Sequence, residues 1–216
     1  MPIDKEIEKV RLLARSVVID HPDANKDWGH GITADMLDAV FKEKLAGCGH
    51  IFVQYANIYK VNPAFMASIS CHETGYGTSN AIRTKNNCFG MMSSNGFMEF
   101  DSLQEGIRRG ISNLSRNYMN KGKTTLQAIQ AVYCPVGAEN DPNNLNGNWQ
   151  PTVKAIYKKM TGKDIGSGTS FFGTGVSTDP LGEVTNGFNG SSVVGDGTGS
   201  DLTPSGPFHI LCFRSS

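Results

Sequence analysis

Between Asn62 and Gly90 the chain reads NPAFMASISCHETGYGTSNAIRTKNNCFG and carries one acidic residue, Glu73. Its surroundings decide what that carboxyl group can do. Phe65, Met66 and Ile69 recur at helical spacing and so bury one face, and Glu73 follows Ile69 by one turn on that side. Gly75 and Gly77 then stop the helix. A carboxyl beside apolar side chains is partly desolvated, which disfavours the charged form and raises its pKa. The carboxyl end of a helix is the negative end of its dipole and pushes the same way. An acid kept protonated near neutral pH is what general-acid cleavage of a glycosidic bond requires. A glutamate at a helix end is ordinarily just solvated, so the reading depends on the pattern around it. Such cleavage normally needs a second carboxylate as base or nucleophile. Glu99 and Asp101 are the candidates, because they alternate with Met98 and Phe100 on the polar face of a strand predicted over Phe97–Asp101. The competing reading of both is a solvated strand residue.

Thiol and metal chemistry are less well placed. The cysteines are Cys48, Cys71, Cys88, Cys134 and Cys212, an odd number with no C-x-x-C, which argues against a dedicated disulfide framework. Cys48-Gly-His50 and Cys71-His72 invite a zinc reading, but buried, reduced thiols are the simpler account. A papain-like peptidase needs its cysteine at a helix start, where the thiolate is favoured. Cys71 sits near a helix end and Cys134 precedes a proline after a helix. No metal or cofactor is expected.

The elements that must position Glu73 are mostly helical. Asn62 caps its helix and Pro63 fits the first turn. Before it, Asp4 caps a helix over 4–19, residues 21–31 form a turn-rich loop, and Thr33 caps a helix that Gly47 ends. A third helix runs from about Gly49 to Tyr59. After it, 78–96 reads as largely irregular, with Asn86 and Asn87 able to hold the loop under a cleft through side-chain hydrogen bonds. A short strand begins at Phe89-Gly90, and Ser93-Ser94-Asn95-Gly96 is a hairpin turn. Ser102 caps a long helix ending at Asn120-Lys121-Gly122, Thr124 opens another leading into Tyr133-Cys134-Pro135, and Pro151 starts the last. The expected class is α+β, mainly helical, with one small hairpin.

Composition sets further bounds. Twenty basic and twenty acidic residues balance, so charge suggests neither a nucleic-acid nor a membrane partner. From Gly166 onward there is one basic residue, Arg214, against Asp179, Glu183, Asp196 and Asp201, which leaves the first part mildly basic and suited to an anionic wall polymer. No run is long enough to span a membrane. The start, MPIDKEIEKVRLLARSVVID, is charged and amphipathic and lacks a secretory pattern. Twelve of the 25 glycines lie between Gly162 and Gly206, where helical periodicity vanishes and a flexible Gly/Ser/Thr-rich linker is expected. The predicted organisation is therefore 1–30 as an N-terminal helix and loop, 31–162 as the folded domain, 163–206 as linker and 207–216 as a short apolar tail or the stub of another module.

HETGYGTS at 72–79, NNCFG at 86–90, FMEFDSLQEGI at 97–107, and VYCP at 132–135 with NGNWQPTV at 146–153 together resemble, in order and spacing, the glucosaminidases of glycoside hydrolase family 73. These belong to the lysozyme-like superfamily and occur in phage tail lysins and bacterial autolysins. The resemblance covers roughly 31–162. It implies a lysozyme-like fold and hydrolysis of a β-1,4 link in the glycan strand of peptidoglycan by an endo-β-N-acetylglucosaminidase, with Glu73 as general acid. It also implies that the Tyr133 hydroxyl lies in the cleft and orients substrate. Tyr76 would offer a ring for a sugar face and Asn87 a polar contact, whereas Phe89 and Trp149 are expected to pack. The hairpin is shorter than in many relatives and places Glu99 inside the strand, so the second catalytic group stays open. A single-acid course remains, assisted by the sugar's N-acetyl group or, in a lytic transglycosylase, by the muramoyl 6-hydroxyl. A muramidase on the same strand and a non-catalytic wall-binding virion component compete with the glucosaminidase reading. The expected place of action is the bacterial wall, reached extracellularly, as part of a virion, or as one piece of a longer chain.

Overall fold

The computed structural model describes residues 31–138, 141 and 143–171. The helix expected over 4–19, the loop over 21–30, the linker from 172 and the apolar run at 207–213 lie outside the described residues. Within them are seven α-helices: α1 (Ala34–Asp38), α2 (Gly49–Ile58), α3 (Pro63–Thr74), α4 (Asn80–Lys85), α5 (Leu103–Asn117), α6 (Leu126–Tyr133) and α7 (Trp149–Thr161). One two-stranded antiparallel sheet joins β1 (Met92–Ser93) to β2 (Gly96–Phe97), in register Met92↔Phe97 and Ser93↔Gly96. The mainly helical α+β architecture expected for a lysozyme-like domain is therefore present. No helix among the described residues is long and apolar enough to cross a membrane.

Helix α3 is the axis of the domain. Asn62 Oδ1 accepts from Phe65 N at 3.0 Å as its cap, Pro63 occupies the first turn, and Gly75 closes it in the left-handed region at φ 56. The sequence pattern suggests one buried face, but every residue of the helix except His72 is buried. The reason is that α7 packs along α3 and α2 covers another side, so no face is left to solvent. The small polar residues this encloses are satisfied locally: Ser68 Oγ donates to Ala64 O at 2.7 Å and Thr74 Oγ1 to Ser70 O at 2.6 Å.

Several boundaries differ from expectation. The helix capped by Thr33 stops at Asp38, and a 3-10 turn at Glu43–Leu45 follows where a continuous helix is predicted. Residues 80–85 form α4 inside the stretch read as irregular. The hairpin ladder is only two residues long on each side; Met98–Asp101, expected in the second strand, lies beyond it, with Met98 N donating to Met91 O and Phe100 N to Lys85 O, both at 3.0 Å. Thr125, not Thr124, caps α6, its Oγ1 accepting from Ala128 N at 3.2 Å. The folded unit also runs past 162. Phe171 is fully buried and stacks on Phe65 at 4.0 Å, and Asn62 N donates to Phe171 O. Thus 163–171, the expected start of the linker, packs on the domain.

Cys48, Cys71 and Cys88 are free and buried, in keeping with the expectation of reduced core thiols. Cys134 corrects it: this residue is disulfide-bonded, where the odd cysteine count and the lack of a C-x-x-C had argued against a disulfide framework.

Candidate active site

Glu73 ends the last full turn of α3 with 1% of its surface exposed. A carboxylate in such a place loses most of its hydration, which makes the anion costly. The Tyr133 hydroxyl, from the last residue of α6, donates to Glu73 Oε1 at 3.1 Å across 60 residues of sequence. The same hydroxyl lies 3.5 Å from Phe89 O. Burial first, and then the adjacent Glu73, push the Tyr133 phenol well above its ordinary pKa, so it stays a donor at any working pH. Its ring is fixed between Tyr118 (5.9 Å, edge-on) and Trp149 (5.5 Å). The result is a buried carboxyl whose one oxygen is oriented by a rigid neutral donor.

Three segments build this pair. The turn after α3 is wound tightly on Thr74, whose carbonyl accepts from Gly77, Thr78 and Ser79 N. Gly77, at φ 102, sits so close to the Lys42 carbonyl that any Cβ would collide with it. The 86–91 loop is held by its asparagines. Asn86 Nδ2 donates to Phe100 O at 2.9 Å, while Asn87 is fully buried, donates to Met91 O (2.8 Å) and Met98 O (2.9 Å), and accepts from Met91 N (2.9 Å). Ser70 Oγ donates to Cys88 O at 2.8 Å and ties this loop to α3. The third segment is the turn after Tyr133. Asn146 Nδ2 donates to Pro135 O, Gln130 Nε2 to Asn146 O, and Asp141 accepts from Leu145 N and Asn146 N. Sequence reasoning missed Ser70, Gln130, Asp141 and Asn146. Only the Asp-Pro and Asn-rich composition of 137–149 hinted at them.

The remaining candidates lie as follows. Glu99 is 67% exposed and its Oε2 meets Lys85 Nζ, at the end of α4, at 3.1 Å. Asp101 is exposed beside the α5 cap Ser102. Met98 and Phe100 are buried, so the alternation holds although the ladder is short. Tyr76 has a left-handed backbone (φ 61) and its ring lies between Lys42 Nζ at 5.6 Å and Lys159 Nζ at 5.7 Å. Phe89 and Trp149 are wholly buried and pack. Asn87 directs both amide N–H groups at loop carbonyls and so builds the floor of the site.

Neighbouring groups stay neutral. Burial pushes the Cys71 thiol up to about 12 and lowers His72 to about 4. A thiol so placed is a poor nucleophile, and the two do not make a cysteine–histidine pair. Among the described residues no three His, Cys, Asp or Glu side chains gather as a metal site. An opening of about 400 Å³ lies on the outer side of α6, lined by Gln127, Gln130, Ala131, Pro135, Val136 and Gln150, and does not include Glu73 or Tyr133.

No curated protein shows significant similarity to the chain. The family model described as mannosyl-glycoprotein endo-beta-N-acetylglucosaminidase, Glucosaminidase, matches residues 49–162, from the first residue of α2 to the end of α7, and so spans every element that builds the Glu73–Tyr133 pair. The chain belongs to the glucosaminidase family and is a glycosidase acting on peptidoglycan.

Proposed function

We propose that the chain is an endo-β-N-acetylglucosaminidase in which Glu73 is the general acid. The observation that carries this reading is the buried Glu73 carboxyl with the Tyr133 hydroxyl 3.1 Å from one oxygen. In the reaction Glu73 gives its proton to the leaving 4-oxygen of the glycosidic bond as the C1–O bond breaks. Tyr133 keeps the carboxyl aimed and holds the negative charge that Glu73 acquires.

The exposure of Glu99 and its bond to Lys85 favour a single-acid course over a pair of facing carboxylates. In that course the acetamido oxygen of the cleaved sugar attacks C1 as the C1–O bond breaks, giving a cyclic oxazolinium ion that keeps the amide N–H and balances the Glu73 carboxylate. Water then opens it, with Glu73, now deprotonated, taking the proton from that water. The net reaction is hydrolysis with retention, and the acid is regenerated.

Purified peptidoglycan digested by the parent and by Glu73→Gln, followed by mass spectrometry of the released sugars, tests the proposal. Reducing N-acetylglucosamine ends that disappear in the variant are expected. Reducing N-acetylmuramic ends would make the enzyme a muramidase, and anhydro-muramoyl ends a lytic transglycosylase. Binding without release by the parent would leave a wall-targeting module.

A further inference from the structure

Cys134 follows Tyr133 directly and is disulfide-bonded. The chain has five cysteines, of which Cys48, Cys71 and Cys88 are free, so Cys212 is the one that remains. It lies in PFHILCF at 207–213, an uncharged run whose Phe208, Ile210, Leu211 and Phe213 leave water only by packing on another surface. Such a surface surrounds Cys134. Cys134 itself is buried, but Val132 is 42% and Val136 62% exposed. Asn146 Nδ2 donates to Pro135 O at 2.9 Å, which brings Leu145, 39% exposed, to the same turn. Three of the four exposed large hydrophobics among the described residues therefore gather here, Phe97 being the fourth. The opening on the outer side of α6, lined in part by Ala131, Pro135 and Val136, continues the patch. Contiguous apolar surface of this kind marks a place that something covers. The chain is long enough to supply the cover. The roughly forty residues between Phe171 and Cys212 can span on the order of 130 Å, against about 40 Å across a folded unit of this size.

We propose that the run 207–213 docks on the apolar turn formed by Val132, Pro135, Val136 and Leu145, latched there by a disulfide between Cys134 and Cys212. The bond selects the occupant: the remaining cysteine sits inside an uncharged apolar run, so the segment that closes the disulfide carries the side chains that cover the patch. Forming the bond takes two protons and two electrons from the two thiols, and a disulfide oxidant accepts them and leaves as two thiols. The latch closes one residue from Tyr133 and so braces the end of α6, which carries the hydroxyl to Glu73 Oε1. It stands whether or not Glu73 is the general acid.

The bond is tested on the full chain, equilibrated with oxidised glutathione, denatured with an alkylating agent to block free thiols, and digested with trypsin. From the monomer fraction, peptides 124–154 and 164–214 are expected as one cross-linked species that separates on reduction. Cys134 joined to any other cysteine, a disulfide-linked dimer, or both Cys134 and Cys212 recovered alkylated would overturn the proposal. Docking is tested by hydrogen exchange on the double variant Phe208→Ser, Ile210→Ser, which keeps both cysteines and leaves 31–171 unaltered. Its amides at 131–136 and 144–146 should exchange about tenfold or more faster than in the parent, while α3 and α7 keep parental rates. Equal exchange in parent and variant would mean a tether without docking and would overturn the proposal. Faster exchange spread over α3 and α7 would mean a general loosening and would overturn it too.

Discussion

Replacing Tyr133 by phenylalanine removes one oxygen atom and little else. The ring keeps its packing against Tyr118 and Trp149, at 5.9 and 5.5 Å. What goes is the 3.1 Å bond to Glu73 Oε1. On the general-acid reading proposed above, the phenol donates to a carboxyl that still carries its proton before the reaction. As the proton leaves for the glycosidic oxygen, the carboxyl becomes an anion, and the phenol then donates to a charge in a place with almost no solvent. Hydrogen bonds to charged groups are worth roughly 1.5–3 kcal/mol, against about 1 kcal/mol for neutral pairs. The difference between the two, about 0.5–2 kcal/mol, appears only as the charge develops. At about 1.4 kcal/mol per factor of ten it lowers kcat by roughly 2- to 30-fold. Misaiming of the freed carboxyl adds to this, so a loss of about tenfold or more is expected. KM should hold, because a group that acts through Glu73 contributes nothing to ground-state binding. The assay is initial-rate release of reducing sugar from solubilised glycan strands, with kcat and KM fitted separately. The double variant with Glu73→Gln should be no slower than Glu73→Gln alone. A Tyr133→Phe enzyme with unchanged kcat, or with raised KM and parental kcat, would refute the reasoning; the second result would mean that the hydroxyl touches substrate.

Gly110→Ala places a methyl in the Phe89 ring, and overpacking of this kind costs about 1–3 kcal/mol, so calorimetry should show a melting temperature lower by several degrees together with reduced activity. Parental melting would mean that α5 and the loop separate freely. His72, lowered by burial to about 4 from its ordinary 6.5, binds fewer protons folded than unfolded between those values. Stability therefore rises with pH through that window and is lost as pH falls through it; for a half-buried ring the loss is about 1–3 kcal/mol. Urea midpoints at pH 4 and 6.5 should differ less for His72→Gln than for the parent, and equal differences would dismiss His72 as the cause. Glu99→Gln, which removes an exposed partner of Lys85, should keep glycan release within about threefold of the parent. A loss of about a thousandfold would restore a two-carboxylate mechanism.

How much of this was legible beforehand depends on how local each cause is. The caps at Thr33, Asn62 and Ser102 were readable because each is a side chain answering a backbone N–H three residues away. The stop at Gly75 was readable because a left-handed residue favours glycine. The alternation of Met98 and Phe100 with Glu99 and Asp101 survived a shorter ladder, because the apolar and polar side chains still separate into core and solvent there. Helix α4 was missed because six residues with one buried side chain, Ile82, make no periodicity. The burial of Phe171 was missed because a lone phenylalanine in glycine-rich sequence looks like linker until Phe65 is seen beneath it.

The site divides the same way. The sequence alone determined that a glutamate would close the helix at 62–74, next to a glycine turn, since capping and hydrophobic spacing act over a few residues. It could not determine that this helix would be enclosed on all sides, because that follows from α2 and α7 packing against it. Nor could it say that Asn87 would build the floor, or that Tyr133 would arrive 3.1 Å from Glu73. Those placements are made by contacts between segments tens of residues apart, and only the closed chain brings their atoms within hydrogen-bonding reach.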